Sequence, residues 1–412
     1  MIGTTRAFLE GLFRTAVAAA HPATCLPPLL PCPPKGQLIL LAAGKAAGSM
    51  AEVAEGFYLD RLKLPAGHLY GHAVARHGYG RPLKIVTMIE AGHPVPDGAG
   101  LEDGLRAIEL ADGADADDLV LVLMSGGASA NWIAPAAGVT FAEKQAVTRA
   151  LLRSGAAIGE INTVRKHLSR IKGGRLARTA FPAKLVTIAI SDVPGDDPSA
   201  IGSGPTVPDP TTLADARGVV AKYRLDLPPN VVAALADPTN ETPKPDDAVF
   251  AGSQFVLAAR PADSLRAAEA AVRAVGYECL SLGDRVEGEA REVGAAHAKL
   301  ARELRAQCKR AVILSGGELT VTIRGKGRGG PNQEYAMALA MGLAHMPAVA
   351  ALAGCADAVS SVAASATVAA IQCIADWRGN AVKLPSLMIR HGCRVIGHAL
   401  STTMARKSFT LV

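Results

Sequence analysis

The chain has 412 residues, of which 49% are hydrophobic and 19% charged, and its formal net charge is +6. This length favours two domains over one, and so mild a charge, with no zinc-finger spacing, argues against a nucleic-acid partner. Seven scattered cysteines without a CxxC pair fit a reducing, cytoplasmic setting better than a disulfide framework or a zinc site. No segment is apolar enough to predict a membrane span, and the N-terminus resembles an amphipathic helix rather than a secretion signal.

Buried strands and helices alternate over the first half of the chain. The strands are continuous apolar runs, which is typical of a parallel sheet covered by helices on both faces. The pattern therefore predicts a doubly wound, Rossmann-like α/β domain. Its predicted helices cover 4–20, 98–111, 141–157 and 160–178, and its predicted strands cover 37–43, 83–90, 119–124 and 185–190.

A proline-rich stretch at 228–245 interrupts this alternation, because proline breaks regular elements. We place the domain boundary there, which gives an N-terminal domain at 1–240 and a C-terminal α/β domain at 246–412. Alternation then resumes, with predicted strands at 248–252, 278–282, 311–314, 319–324 and 349–353 and helices at 262–275, 287–307 and 332–345.

Two Ser-Gly-Gly segments are the first candidates for a binding site. Ser125-Gly126-Gly127 follows one apolar strand and Ser315-Gly316-Gly317 follows another. Glycine lets successive backbone N–H groups point at an anion, and ligands of open α/β sheets bind at the carboxyl ends of strands. An ordinary tight turn is the alternative for each segment.

Lys45 lies directly after a buried strand and at the start of a helix. The helix dipole favours anions at that position, so a lysine there makes sense if it shares the position with a bound anion. A solvated surface lysine is the alternative.

The segment 161–191 contains no carboxylate, although it carries eight lysine, arginine and histidine residues. Most such charges face solvent, and we expect one or two of them to meet an anion. The following loop, 191–198, places Asp192 and Asp197 at a strand end. Mg²⁺ is usually held by one or two carboxylates plus substrate phosphates, so these residues are candidate Mg²⁺ ligands, with a polar turn as the alternative.

A glycine-rich loop at 325–330 matches G-x-G-x-x-G and contains Lys326 and Arg328. A single match of this kind is weak evidence for a dinucleotide site, and the two basic residues favour phosphate binding instead. No Walker A motif is present. Glu318, directly after the second Ser-Gly-Gly, is an acidic candidate, whereas the histidines at 68, 72 and 77 suit neither a strand face nor a zinc motif.

Several ordered motifs together resemble the bacterial and archaeal glycerate 2-kinases with a C-terminal MOFRL domain. Many members of that family are named hydroxypyruvate reductases of tartrate degradation. The resemblance covers about residues 1–354 and rests on Gly-Lys-Ala-Ala (44–47), Ala-Gly-His-Pro-Val-Pro-Asp (91–97), Ser-Gly-Gly-Ala-Ser-Ala (125–130), Val-Arg-Lys-His-Leu-Ser (164–169), Ile-Lys-Gly-Gly-Arg-Leu-Ala (171–177), Ser-Asp-Val-Pro-Gly-Asp-Asp-Pro (191–198), Ser-Gly-Pro-Thr (203–206), Ser-Gly-Gly-Glu (315–318) and Gly-Arg-Gly-Gly-Pro-Asn-Gln-Glu (327–334).

The resemblance implies that the protein uses ATP and Mg²⁺ to phosphorylate the 2-hydroxyl of D-glycerate, which gives 2-phosphoglycerate. The family's essential lysine corresponds to Lys45, and the family's second cation falls on Pro331, so Arg328 is expected to replace it. Lys45, Asp192 and Arg328 are then the catalytic candidates. The binding candidates are Ser125, Gly126, Gly127, Arg165, Lys166, Ser315, Gly316, Gly317, Glu318, Lys326 and Asn332.

The tail at 355–412 departs from the family pattern, and we interpret it as the result of a shifted reading frame. Two further functions follow as alternatives. An NAD(P)H-dependent hydroxypyruvate reductase would need a dinucleotide fingerprint in the first domain, and Gly44-Lys45-Ala46-Ala47-Gly48 is not one. An inactive homologue is the other alternative, because of the tail. A homodimer is left open by the sequence.

Overall fold

The computed structural model describes residues 2–193, 195–325, 329–346, 349–354, 369–371 and 406–411. The chain divides into two compact units, a first unit at Pro22–Arg260 and a second unit that joins Met1–His21 to Pro261–Val412. This division differs from the predicted one at both ends, because the opening helix α1 (Ile2–Ala19) joins the second unit and residues up to 260 stay in the first. Both differences arise from strand pairing and helix packing between segments that lie far apart in the sequence.

The first unit is built on a six-stranded sheet in the order β3-β2-β1-β4-β5-β6, and every neighbouring pair is parallel. Its central strands are buried along their whole length, as continuous apolar runs predict. The α/β class and the doubly wound parallel sheet are thus confirmed. The strands are β1 (Leu38–Ala43), β2 (Leu69–Arg76), β3 (Thr87–Ala91), β4 (Leu119–Ser125), β5 (Lys184–Ile190) and β6 (Ser253–Ala259).

Strand β2 was not predicted, because a glycine and a histidine interrupt its apolar run. Gly71 is required by close packing, since a Cβ there would lie 1.8 Å from the carbonyl oxygen of Leu40 on β1. His72 on the same strand bonds the buried carboxylate of Asp103 through Nδ1 at 3.3 Å. This histidine therefore has a partner in the packing of the sheet.

Nine α-helices are described in the first unit, and local caps explain where several begin. The Asp97 side chain accepts a hydrogen bond from the backbone of Gly100, and Thr140 forms a capping box with Glu143. Gly173 and Gly174, both with positive φ, divide the predicted helix 160–178 into two. The helices are α2 (Pro22–Cys25), α3 (Ala47–Glu55), α4 (Gly98–Asp112), α5 (Ala128–Asn131), α6 (Phe141–Arg153), α7 (Ile158–His167), α8 (Arg175–Ala180), α9 (Leu213–Lys222) and α10 (Pro229–Ala236).

The second unit contains a mixed sheet in the order β11-β10-β12-β9-β7, with β8 also paired to β9. Helix α1 contributes Leu12 and Phe13 to the same apolar core as Leu265 and Val272, which explains its place in this unit. None of the helices among the described residues has the length and apolar character needed to cross a bilayer. The remaining elements are α11 (Pro261–Ala274), β7 (Glu278–Ser281), β8 (Val286–Glu289), α12 (Ala290–Ala306), β9 (Ala311–Thr320), α13 (Pro331–Gly342), β10 (Ala351–Gly354), β11 (Ala369–Ile371) and β12 (Arg406–Leu411).

The prediction that Ser315-Gly316-Gly317 is a turn at a strand end is wrong. These residues lie inside β9, which continues to Thr320 and pairs with β8 there. A Cβ at Gly317 would lie 2.0 Å from the carbonyl oxygen of Val286, so the glycine serves the close approach of two strands.

Candidate functional site

The strand order of the first sheet reverses between β1 and β4, which lie side by side with Ala43 opposite Met124. In doubly wound sheets, ligands bind outside the carboxyl ends of the strands at such a reversal. The residues that follow β1, β4 and β5 therefore define the candidate site.

The turn after β1 is tied to the turn after β4 by three close contacts. The backbone N–H of Lys45 donates to the carbonyl oxygen of Gly126 at 2.8 Å, and that of Ala46 donates to Ser125 Oγ at 2.9 Å. Gly44 has φ +117°, and a Cβ there would lie 2.5 Å from Ser125 Oγ. The first Ser-Gly-Gly segment thus holds the backbone of Lys45 in place.

Asp192, which follows β5, comes to the same edge of the sheet. Its Oδ2 lies 3.8 Å from Lys45 Nζ, and both side chains are mostly shielded from solvent. The carboxylate also covers Gly126, because a Cβ at that glycine would lie 1.8 Å from Asp192 Oδ2. The structure therefore brings Lys45, Asp192 and Gly126 together, as their positions at strand ends predict.

His93 belongs to this group, although sequence reasoning assigned it no role. Gly127 has φ +92°, and a Cβ there would lie 3.1 Å from His93 Nε2 and 3.3 Å from Lys45 Cγ. The signal that could have found His93 was its place in the Ala-Gly-His-Pro-Val-Pro-Asp motif. We use the name strand-end cluster for Lys45, His93, Gly126, Gly127 and Asp192.

A second group surrounds Ser129, two residues after Gly127. Arg165 Nη2 donates to Ser129 Oγ at 2.8 Å and to its carbonyl oxygen at 3.2 Å. Lys172 Nζ donates to the same two atoms, at 3.3 and 2.9 Å, and Ser203 Oγ lies 2.7 Å from Ser129 Oγ. We call Ser129, Arg165, Lys172 and Ser203 the Ser129 cluster; of these, sequence reasoning had selected Arg165 alone.

The Ser129 cluster carries positive charge in a shielded position. Lys172 is 1% exposed, and burial, then the charges of Arg165 and Lys144, hold the pKa of its ammonium well below the ordinary range. Burial also lowers the pKa of Arg165. Lys144 donates to the carbonyl oxygens of Leu168 and Arg165 at the end of α7, and burial, then Arg165 and Arg175, lower its pKa to about 7.

Lys166, predicted with Arg165 as a binding residue, points to a different partner. Its ammonium lies 3.3 Å from Asp209 Oδ1, and both side chains are buried. Asp209 also accepts hydrogen bonds from the backbone and hydroxyl of Thr211. The charge of Lys166 is therefore matched within the protein.

Asp197 is likewise engaged locally. One carboxylate oxygen accepts from the backbone N–H of Ser199 and the other from its hydroxyl, both at 2.9 Å. Within the ranges that the structure describes, no group of three or more histidine, cysteine or acidic side chains could hold a metal ion. A single carboxylate, Asp192, still suits Mg²⁺, which takes most of its ligands from phosphates and water.

The candidates of the second unit are separated between a strand and a helix start. Ser315, Gly316, Gly317 and Glu318 lie within β9. Asn332 follows Pro331, which occupies the first turn of α13, where its missing N–H costs nothing; Asn332 Oδ1 is buried without a hydrogen-bond partner among the described residues. Lys326 and Arg328 lie outside the described residues.

These features define a class of protein, a doubly wound α/β protein with a lysine, a carboxylate and glycine-turn amides at its switch point. Residues 8–236 match the family described as a domain of unknown function, DUF4147, and residues 311–390 match the MOFRL family, a range that extends beyond Gly354. The chain belongs to the glycerate kinase family with a MOFRL domain.

Its similarity to named relatives extends over most of the chain. It is 36% identical over 337 residues to the D-glycerate 2-kinase of Thermotoga maritima, covering 81% of this chain and 78% of that protein. It is 44% identical over 374 residues to a candidate hydroxypyruvate reductase of Agrobacterium vitis, covering 89% and 83%. The crystal structure of a glycerate kinase from Thermotoga maritima superposes with a TM-score of 0.77 at 33% identity, covering 87% of this chain and 85% of the other.

Proposed function

We propose that this protein is an ATP-dependent glycerate 2-kinase of the cytoplasm, which converts D-glycerate to 2-phosphoglycerate. The proposal rests on one observation, the meeting of Lys45, Asp192 and the Gly126-Gly127 backbone at the switch point of the first sheet. Phosphoryl transfer needs little covalent chemistry from a protein, but it does need cations against the phosphate charge and a group that orients the acceptor. The strand-end cluster supplies both, and relatives named glycerate kinase support the substrate.

Each residue then has a role in the transfer. The C2 hydroxyl oxygen of glycerate attacks the γ-phosphorus, a new P–O bond forms, and the bond to the β,γ-bridging oxygen breaks as ADP leaves. Lys45 and the amides of Gly126 and Gly127 stabilise the charge on the transferring group. Asp192 orients the hydroxyl and accepts its proton, and Arg165 binds the glycerate carboxylate.

Mg²⁺ supplies charge neutralisation on the phosphates when it is bound. Asp192 is the residue that we assign to it, while the hydrogen bonds from Ser199 argue against Asp197. Within the first unit we assign the phosphates of the nucleotide to Ser125 together with the Gly126 and Gly127 backbone.

The reductase alternative has less support. A dinucleotide would place its pyrophosphate on the free amides at the start of the helix after β1. Here the amides of Lys45 and Ala46 instead bond Gly126 and Ser125. Oxidation of NADH by hydroxypyruvate in the absence of ATP would overturn our proposal in favour of that activity.

The position of phosphorylation can be tested directly. The purified protein is incubated with D-glycerate, ATP and Mg²⁺, and the product is offered to enolase alone. We expect phosphoenolpyruvate to form without phosphoglycerate mutase, because enolase accepts the 2-phosphate. A product that requires the mutase would refute the 2-kinase proposal, and no ADP formation above the glycerate-free control would refute the kinase itself.

A further inference from the structure

The Ser129 cluster contains two cations whose charges no described carboxylate matches. Arg165 and Lys172 bond the hydroxyl and carbonyl oxygens of Ser129, and among the described residues neither forms an ion pair with a carboxylate. A buried charge without a counter-ion is costly and is normally paired or bound to a ligand. Lys172 is 1% exposed and has a further cation, Lys144, close enough to disfavour its charged form.

Neighbouring cations of the same segment show that this arrangement is not general. Lys166 is paired with Asp209, and Lys144 donates to carbonyl oxygens at the C-terminal end of α7, where a positive charge is favourable. Arg165 and Lys172 have no carboxylate partner among the described residues, and they share the two oxygen atoms of one residue, Ser129, as acceptors. The structure thus concentrates unmatched positive charge around Ser129.

The hydroxyl groups of the cluster are also oriented. Ser129 Oγ accepts from both cations, which uses its two acceptor positions, so its own proton is directed to Ser203 Oγ. The hydroxyl proton of Ser203 is then left without an acceptor among the residues described. In this orientation the cluster offers hydrogen-bond donors and no acceptor to a bound ligand, which is the arrangement that an anion requires.

The backbone at Ser203 is strained in a way that supports a functional role. Gly202, Ser203 and Gly204 have φ values of +60°, +64° and +57°, and Ser203 is the residue of the three with a side chain. Non-glycine residues in the left-handed region cost on the order of 1 kcal/mol or more and cluster at functional sites. Here the strain places the Ser203 hydroxyl against Ser129.

We propose that the Ser129 cluster is the subsite for the carboxylate of the acceptor, with Arg165 in contact with the substrate and Ser129 and Lys172 as positioning residues behind it. The assignment rests on the proposed function and deepens it. Arg165 keeps partial exposure while Lys172 does not, so a ligand reaches Arg165 and not Lys172. Lys172 acts through Ser129, and its charge favours anionic acceptors over neutral ones.

The test compares K172M with the wild-type protein by titration calorimetry, using D-glycerate and its neutral amide as probes, with and without a non-hydrolysable ATP analogue. Charge-assisted hydrogen bonds contribute enough to predict a loss of about 10- to 100-fold in glycerate affinity. The affinities for the amide and for the ATP analogue should change less than about twofold. The melting temperature should not fall, since the substitution removes a buried, unmatched charge.

Two further measurements separate a positioning role from a purely structural one. Glycerate affinity of the wild type should weaken as pH rises and Lys172 loses its proton, and K172M should lack this part of the dependence. S129A, which keeps the carbonyl oxygen that Lys172 bonds, should show a smaller loss in glycerate affinity. Equal losses for glycerate and the amide, or an unchanged glycerate affinity in K172M, would overturn the proposal.

Failure of the kinase and failure of the subsite give different results. A protein that binds glycerate in a Lys172-dependent way without transferring a phosphoryl group supports the subsite and refutes the kinase. A protein that phosphorylates glycerate with unchanged affinity in K172M refutes the subsite alone. A wild-type protein that binds neither glycerate nor another 2-hydroxycarboxylate, with or without the ATP analogue, also overturns the subsite.

Discussion

Replacing Gly126 by alanine should separate activity from stability. A Cβ at this position would lie 1.8 Å from Asp192 Oδ2 and 2.2 Å from Asp192 Cγ, distances that atoms do not adopt. The carboxylate must retreat by about 1.2 Å or more, and a misplacement of about 1 Å in a catalytic group costs on the order of 100-fold in rate. The obstructing atoms belong to the end of a side chain, and Gly126 has no positive φ, so the fold should tolerate the change.

The assay is steady-state phosphoglycerate formation together with chemical denaturation. We expect kcat/KM of G126A to fall about 100-fold while the free energy of unfolding changes by less than about 1 kcal/mol. G159A is the matched control, because no atom lies within 4 Å of a Cβ on that helical glycine, and its activity should equal that of the wild type. In a D192N background G126A should cause little further loss, because both changes act on one carboxylate. Full activity of G126A, or additive losses in the double variant, would refute this reasoning.

Three further predictions test the charges and the backbone strain of the first unit. S203G should be more stable than S203A by about 1 kcal/mol in urea denaturation, because glycine relieves the left-handed backbone at φ +64° that alanine retains; equal stabilities would contradict the strain. Burial lowers the pKa of Lys144 to about 7, so the unfolded chain binds more protons than the folded one between pH 7 and the ordinary lysine pKa near 10.5. Wild-type stability should therefore rise with pH in that window, and K144M should reduce the slope; an identical slope would show that Lys144 does not contribute. K166M should destabilise the protein by about 3–5 kcal/mol, since it leaves the buried Asp209 carboxylate without its partner, and unchanged thermal unfolding would contradict this.

The site residues that could be predicted from the sequence are those that lie directly after a buried strand. Lys45, Ser125 and Asp192 come directly after apolar runs, and parallel strands bring their carboxyl ends to one edge whatever the packing elsewhere. The second Ser-Gly-Gly shows the limit of that rule. Its residues have the same letters as the first, but β9 continues through them by pairing with β12 and, from Gly317 onward, with β8. Pairing between distant segments is not visible in a local pattern.

Contacts of helices and side chains with distant parts of the chain set a second limit on what the sequence can predict. Helix α1 packs on α11, about 250 residues later, because its apolar face is matched there, and the proline-rich segment 21–35 that follows α1 does not indicate which unit the helix joins. In the basic segment, Lys166 and Lys172 look alike in sequence, and which of them meets a carboxylate depends on where the distant Asp209 lies.

The contrast between these two lysines indicates what distinguishes a structural charge from a functional one in this fold. Both are buried, but Lys166 has its counter-ion in the chain, whereas Lys172 has two further cations near it and oxygen atoms of Ser129 as acceptors. A folded protein gains nothing from the second arrangement in isolation, because desolvation and repulsion both oppose it. It becomes favourable when an anion binds, since the same low-dielectric surroundings that make the unmatched charges costly strengthen their attraction to a carboxylate. Removal of Lys166 should therefore lower stability with little effect on substrate affinity. Removal of Lys172 should lower substrate affinity without lowering stability.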